Sequence, residues 1–212
     1  MKTLIAVPCM DQVAAPFAQS LATMQKAGDT FVSFIIGSLI YDSRNNLVKQ
    51  ALKLNCDAIM WLDSDMIFDR YLFRRLSEHL DLGREMISGL YFSRKPPIHP
   101  VIYSQLRRDP LPTGGYAAAA DSFDDYERDS LFEIAACGFG AVMMTTDLIR
   151  RVRDAYGLPF FPSLGFGEDL AFCMRVGWLG REIWCDSSIK CGHAGTAIYS
   201  EDSWRKLQGI TD

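Results

Sequence analysis

Ile59-Met60-Trp61-Leu62-Asp63-Ser64-Asp65-Met66-Ile67-Phe68 is an apolar run that stops on two carboxylates with one serine between them. The run from Ala58 to Leu62 has the length and apolarity of a buried strand. A core strand gains nothing by delivering acids to its carboxyl end, but open α/β sheets bind their ligands there. Mg²⁺ and Mn²⁺ take oxygen ligands and are held by one or two carboxylates together with substrate phosphates. Acids at i and i+2 of an extended segment point the same way. Asp63 and Asp65 therefore point to a cation that grips a diphosphate. The competing reading is a plain turn with solvated acids, because Asp-x-Asp is short and common by chance.

Upstream, strand and helix patterns alternate. Leu4 to Val7 reads as a strand, and Pro16 fits the first turn of a helix carrying Phe17, Leu21 and Met24. Phe31 to Ile36 reads as a second strand. Asp42 or Ser43 is the expected cap of a helix with Leu47, Ala51 and Leu54 on one face. Downstream, Asp69 is the expected cap of a helix through Leu72, Leu76 and Leu80, closed by Gly83. Such alternation predicts an α/β fold with a mostly parallel sheet and right-handed crossovers.

Past a fourth strand at Met86 to Tyr91 the pattern changes. Arg94-Lys95-Pro96-Pro97 reads as a turn, and Pro100 to Ser104 as a short strand. The polar segment from Arg107 to Ser130 is expected to be a mobile loop over the site. Phe132 to Cys137 and Ala141 to Thr145 are expected strands around Gly138-Phe139-Gly140. Asp147 is the expected cap of a helix to about Tyr156, and Glu168 to Leu179 is amphipathic. A late strand, Glu182 to Cys185, precedes a tail with Gly192-His193-Ala194-Gly195 and a polar end.

The composition narrows the functional classes. The chain has 212 residues, 49% hydrophobic and 23% charged, which suits one full-sized domain. Its net charge of −4 and lack of a basic run argue against nucleic acid as main partner. No apolar run reaches the length of a membrane-spanning helix. The apolar start stops early, at Pro8, which does not read as a signal peptide. Six scattered cysteines read as reduced thiols, and the expected compartment is the cytoplasm.

Three more clusters carry candidate chemistry. Glu168 and Asp169 open a helix, where the dipole favours negative charge, and Gly165 and Gly167 leave room for a ligand. A carboxylate held there could deprotonate a hydroxyl; a first-turn charge pair is the bland alternative. His193 sits between glycines and could join a divalent metal, although a lone loop histidine is more often structural. Arg44, in Ser43-Arg44-Asn45, could meet a diphosphate with its planar fork or serve as a structural clamp. His79 reads as an exposed helix residue, His99 has no evident partner, and Trp61, Tyr91, Phe92, Trp178 and Trp184 read as mostly core.

In this order these pieces resemble the GT-A-fold glycosyltransferases, in particular the small bacterial and phage enzymes of the family 2 type. The matching text is Ala6-Val7-Pro8, Ser43-Arg44-Asn45, Trp61-Leu62-Asp63-Ser64-Asp65-Met66, Gly138-Phe139-Gly140-Ala141-Val142, Gly167-Glu168-Asp169 and Gly192-His193. The resemblance implies a GT-A-like three-layer α/β/α sandwich. It implies one domain, with a nucleotide-binding half over residues 1–92, an acceptor and catalytic half over 93–195, and a C-terminal tail over 196–212.

The resemblance also implies a nucleotide-sugar donor, most often a UDP-sugar, lying near Pro8, Asp11 and Arg44 and against Asp63, Ser64 and Asp65. Asp65 would hold Mn²⁺ or Mg²⁺, Asp63 would face the ribose or the metal's waters, and His193 would complete the site. Asp169 would be the base of a single inverting displacement, with Glu168 orienting the acceptor and Gly138 to Gly140 lining its side. The Gln-x-x-Arg-Trp signature of processive synthases is missing, which favours transfer of one sugar to an acceptor hydroxyl on a glycan, protein or small molecule.

Two other classes compete. A sugar-phosphate nucleotidyltransferase needs a glycine-rich basic loop after the first strand, and Pro8-Cys9-Met10-Asp11-Gln12 is not one. A catalytically silent binding or assembly protein of the same fold would use the aromatic residues and the 107–130 segment as a partner surface. A homo-oligomer is compatible with the sequence, which marks no interface for it.

Overall fold

The structure, a computed structural model, describes residues 1–195 and 198–209. The parts of the expected tail at 196, 197 and 210–212 lie outside the described residues. The first half of the chain runs β1 (Thr3–Cys9), α1 (Ala15–Thr23), β2 (Thr30–Ile36), α2 (Ile40–Lys53), β3 (Ala58–Leu62), β4 (Met66–Ile67), α3 (Leu72–Asp81) and β5 (Met86–Leu90). The second runs β6 (Ile102–Pro110), β7 (Tyr116–Ser122), β8 (Leu131–Ile134), β9 (Ala136–Cys137), β10 (Ala141–Thr145), α4 (Thr146–Tyr156) and α5 (Glu168–Trp178). It closes with β11 (Ile183–Lys190), β12 (Gly192–Ala194), β13 (Ile198–Tyr199) and α6 (Glu201–Gln208).

This is a mixed α/β architecture on one seven-stranded sheet, in the order β2-β1-β3-β10-β5-β11-β8. β1 pairs in parallel with β2 and β3, and β5 with β11, while β10 and β8 run against their neighbours. The central strands are buried on both faces, so they read as continuous apolar runs. Successive residues still divide between two cores. Leu4, Ala6, Ile59 and Trp61 pack with residues of α2, α4 and α5. Ile5, Val7, Met60 and Leu62 pack with Phe17 of α1 and with Leu72, Leu76 and Leu80 of α3. Helices thus cover both faces, and the carboxyl ends of β1 and β3 open to one side. Among the described residues, no helix is long and apolar enough to cross a membrane.

Several local expectations need correction. α2 begins at Ile40, so Asp42 and Ser43 lie inside its first turn and no side chain caps it. The cap of α4 is Thr145, whose hydroxyl accepts from the Leu148 N–H, not Asp147. Asp69 accepts from the Tyr71 N–H just ahead of α3, whose boundary residue is Tyr71.

The largest correction concerns residues 107–130. Most of that segment is not a loop: β6 and β7 form an antiparallel hairpin that pairs Arg107 with Ala119 and Asp109 with Ala117. Its tight turn uses Gly114 and Gly115, both at positive φ. Arg107 ties β6 to β7 by hydrogen bonds to Asp121 and also bonds Asp109 on its own strand. The polar stretch at residues 200–208 also folds. α6 carries a capping box at Ser200 and buries Trp204 against Phe92.

Candidate functional site

Backbone pairing assembles the site. β3 ends at Leu62, and the chain turns through Asp63-Ser64-Asp65, with the Met66 N–H donating to the Asp63 carbonyl oxygen. β12 pairs with β4, setting His193 opposite Met66, and the Ala194 N–H donates to the Asp65 carbonyl oxygen. A residue near the end of the chain is thereby fixed beside the acidic turn.

The turn also separates the two acids, which do not point the same way. Asp63 Oδ1 accepts from Arg44 Nη2 at 3.0 Å, and Arg44 Nε donates to Glu168 Oε1 at 3.2 Å. The Arg44 side chain is 3% exposed. It lies over the rings of Trp61 and Phe139, with centroid distances of 5.4 and 5.2 Å, and its Nη1 is buried without a hydrogen-bond partner. Burial opposes its charge, yet Asp63 and Glu168 hold its pKa above the ordinary value. Arg44 is an internal counter-ion here rather than a free hook.

Asp65 faces the other way. Its Oδ1 lies 3.3 Å from His193 Nε2, and its Oδ2 accepts from Arg94 Nη1. His193 Nδ1 lies 2.9 Å from the Phe92 carbonyl oxygen; with Nδ1–H donating along that line, Nε2 is the ring nitrogen turned to Asp65. Burial pushes the Asp65 carboxyl up, but His193 and Arg94 outweigh it and hold it below the usual range. Burial likewise opposes the imidazolium, and the bonds to Asp65 and Phe92 raise His193 on balance.

Asp169 sits in the first turn of α5 beside Glu168. Burial, then the neighbouring Glu168 charge, push its carboxyl up to about 6. One cavity of about 330 Å³ is lined by all of these groups: Arg44, Asp63, Ser64, Asp65, Arg94, Glu168, Asp169 and His193, with Pro8 to Met10 at its edge. A second hollow of about 460 Å³ shares Met10, Ser64, Asp65 and Arg94 with it.

Most of the residues read from the sequence thus line one cavity. Asp11 is exposed and falls just outside the lining. Gly138 to Gly140 do not line it either. They are buried; a Cβ at Gly138 would strike the Tyr91 hydroxyl, and one at Gly140 would crowd Met66 and Tyr91 at 2.9 Å. The glycines let Phe139 pack beneath Arg44, and the Tyr91 hydroxyl accepts from the Gly140 N–H. Asn45 pins the loop before α5 by bonding both the N–H and the carbonyl of Phe160. His79 is not an exposed residue: it meets Asp186 at 3.0 Å with only 14% of either side chain exposed. His99 lies 3.0 Å from the Pro100 carbonyl oxygen through Nδ1, and Trp178 is exposed rather than core. Arg94 was missed, because a lone arginine in a proline turn carries no periodic signal.

The donor set suits Mg²⁺ or Mn²⁺ in one respect and departs from expectation in another. One carboxylate and one imidazole converge, with phosphate oxygens and water able to complete the shell. Among the described residues, no three His, Cys, Asp or Glu side chains form a ready-made metal cage, since Asp63 turns to Arg44.

The crystal structure of A197 from STIV is similar to this chain, with a TM-score of 0.66 and 18% identity, covering 92% of this chain and 86% of that one. It stands among 217 solved chains that match. At such identity the likeness shows a shared fold and transfers no residue roles. No protein-family model matches the chain, and no curated protein matches it.

Proposed function

We propose that this chain is a metal-dependent glycosyltransferase of GT-A-like fold. It moves one sugar from a nucleotide-diphosphate sugar, a UDP-sugar by the family resemblance, to an acceptor hydroxyl with inversion. One observation carries the reading: Asp65 and His193 meet 3.3 Å apart in a cavity that also holds the Glu168–Asp169 pair. A cavity of about 330 Å³ lies within the range that encloses small ligands. Six unbridged buried cysteines support a reducing, cytoplasmic setting.

In this reading Asp65 and His193 hold Mn²⁺ or Mg²⁺, which when bound supplies positive charge to the leaving diphosphate. Asp169 takes the proton from the acceptor hydroxyl, whose oxygen attacks the anomeric carbon as the bond to the diphosphate oxygen breaks. A carboxyl pushed up to about 6 is matched to that work near neutral pH. Glu168, held by Arg44, orients the acceptor side.

Calorimetric titration of UDP, with and without Mn²⁺, against wild type and Asp65→Ala tests the proposal. UDP binding that ignores both the metal and the substitution overturns it. The arginines already bound to Asp63 and Asp65 favour one second reading, a catalytically silent relative of the same fold. Metal-independent UDP binding with no transfer from a panel of nucleotide sugars selects that reading.

A further inference from the structure

The two edges of the main sheet are built differently. β8, at one end, has four residues and carries Glu133. Short edges that carry charge resist pairing with other chains. β2, at the other end, has seven residues, Thr-Phe-Val-Ser-Phe-Ile-Ile, with no charge and no proline. Among the described residues, no strand pairs with its outer side.

Its register with β1 places Val32, Phe34 and Ile36 on the face of Ile5 and Val7. Phe17 of α1 covers Ile5 and Val7, and that core stops short of β2. Val32, Phe34 and Ile36 remain 40%, 38% and 63% exposed. Phe31, Met10, Leu39 and Ile40 are also exposed around the strand and its carboxyl end. Phe31 lies on the opposite face, under Lys2. At about 200 Å² per fully exposed large apolar side chain, the other six residues present roughly 600 Å². That stands at the upper end of the usual largest apolar patch of a monomer, and with the strand's unpaired backbone edge it makes up most of the ~800 Å² per partner of a stable complex.

We propose that the occupant is a second copy of this chain, joined through antiparallel pairing of the two β2 edges about a two-fold axis at Ser33. Such pairing sets Val32 of each copy opposite Phe34 of the other on the uncovered face, an aromatic and β-branched pair of the kind that stabilises sheets. The same arrangement brings Thr30 opposite Ile36 and Phe31 opposite Ile35. An uncharged strand meets its own copy without like-charge repulsion, as an isologous interface requires. The axis joins two seven-stranded sheets into one continuous sheet. It also sets the interface beside Met10 and Ile40, which line the candidate cavity.

Sedimentation equilibrium of the full chain over the micromolar range tests this, with far-UV circular dichroism as the fold control. The wild type is expected to be a dimer; a monomer throughout overturns the proposal. Phe34→Glu or Val32→Lys alone should weaken dimerisation at least about 30-fold, the scale of losing one interface hot spot. Undiminished dimerisation in either folded variant overturns it. The double variant Val32→Lys/Phe34→Glu places opposite charges across the axis and should regain the dimer, whereas a folded double variant that stays monomeric rules out the register. Flotation of a monomeric wild type with phosphatidylcholine vesicles would assign the patch to a lipid surface instead. None of these readouts depends on nucleotide or metal, so they stand or fall apart from the proposed activity.

Discussion

Asp63 and Asp65 leave the same strand two residues apart and enter opposite environments. Asp63 joins an inner clamp, where a buried guanidinium bridges it to Glu168 over two aromatic rings. Asp65 joins an outer clamp, where a histidine and a half-exposed arginine share its two oxygens. The inner clamp has nowhere to move: its cation is desolvated, and removing one member strands a buried charge. The outer clamp can open, since Arg94 loses little by swinging into water. One acid therefore holds the two halves of the site in place, and the other is left to exchange partners with a ligand.

The hardest blow to that contrast falls on the inner clamp. Arg44→Met removes the shared counter-ion of Asp63 and Glu168 and should destabilise the fold by about 3–5 kcal/mol, read by urea denaturation. A loss below about 1 kcal/mol would mean that the clamp is no more than a surface pair. Arg44→Lys keeps the charge without the two-pronged fork, so a loss between those limits is expected.

If Asp169 is the proposed base, Asp169→Asn should lower sugar transfer by about 10²–10⁴-fold with the fold intact, the range for a lost general base. The wild-type rate should rise with pH and level off above about 6, because the base must be ionised and burial holds its proton to that point. The stability sign is opposite. The folded-state pKa is raised from the ordinary 3.8, so the protonated group favours the fold and that contribution is lost as pH climbs toward about 6. Arg44 lowers the Asp169 pKa, so in any Arg44→Met protein that folds, the acidic limb of the rate profile should move to higher pH. An unmoved limb would uncouple the inner clamp from the base.

Sequence periodicity carried the frame of this contrast but not its wiring. β3 spans Ala58–Leu62 as read, because a strand buried on both faces advertises itself as an unbroken apolar run. The β6–β7 hairpin escaped because it lies largely off the core, and Arg107, Asp109 and Asp121 hold it without apolar alternation. His79 looked exposed because its partner Asp186 arrives on a strand from the far end of the chain. Gathering Asp63, Asp65, Asp169 and His193 at one cavity was legible from strand ends and resemblance. That Asp63 and Asp65 diverge was not, since the Asp63-Ser64-Asp65 turn cancels the parity of an extended segment.

The outer clamp is tested through its ligand. Asp65→Ala removes one of two converging donors and should weaken Mn²⁺-dependent UDP binding by about 10–100-fold, the scale of a disturbed metal site. Its effect on unfolding should be small beside that of Arg44→Met, because Asp65 is partly solvated. Equal losses of stability at the two acids would erase the distinction between clamps.

Arg94→Ala should have the smallest effect on the fold and the most discriminating one on binding. The side chain is 47% exposed, so its pair with Asp65 contributes about 1 kcal/mol or less to stability. Without nucleotide, Arg94 and a cation compete for the same carboxylate, and its removal should tighten Mn²⁺ binding several-fold in calorimetry. With UDP present the sign depends on where the guanidinium goes. If it swings onto the diphosphate, which its fork fits, the variant binds Mn²⁺ better and UDP worse. If it stays on Asp65, both affinities rise together. The outer clamp is an exchange site only in the first case, and opposite shifts of the two affinities in one variant are a result that the inner clamp, with its counter-ion sealed under Trp61 and Phe139, has no means to produce.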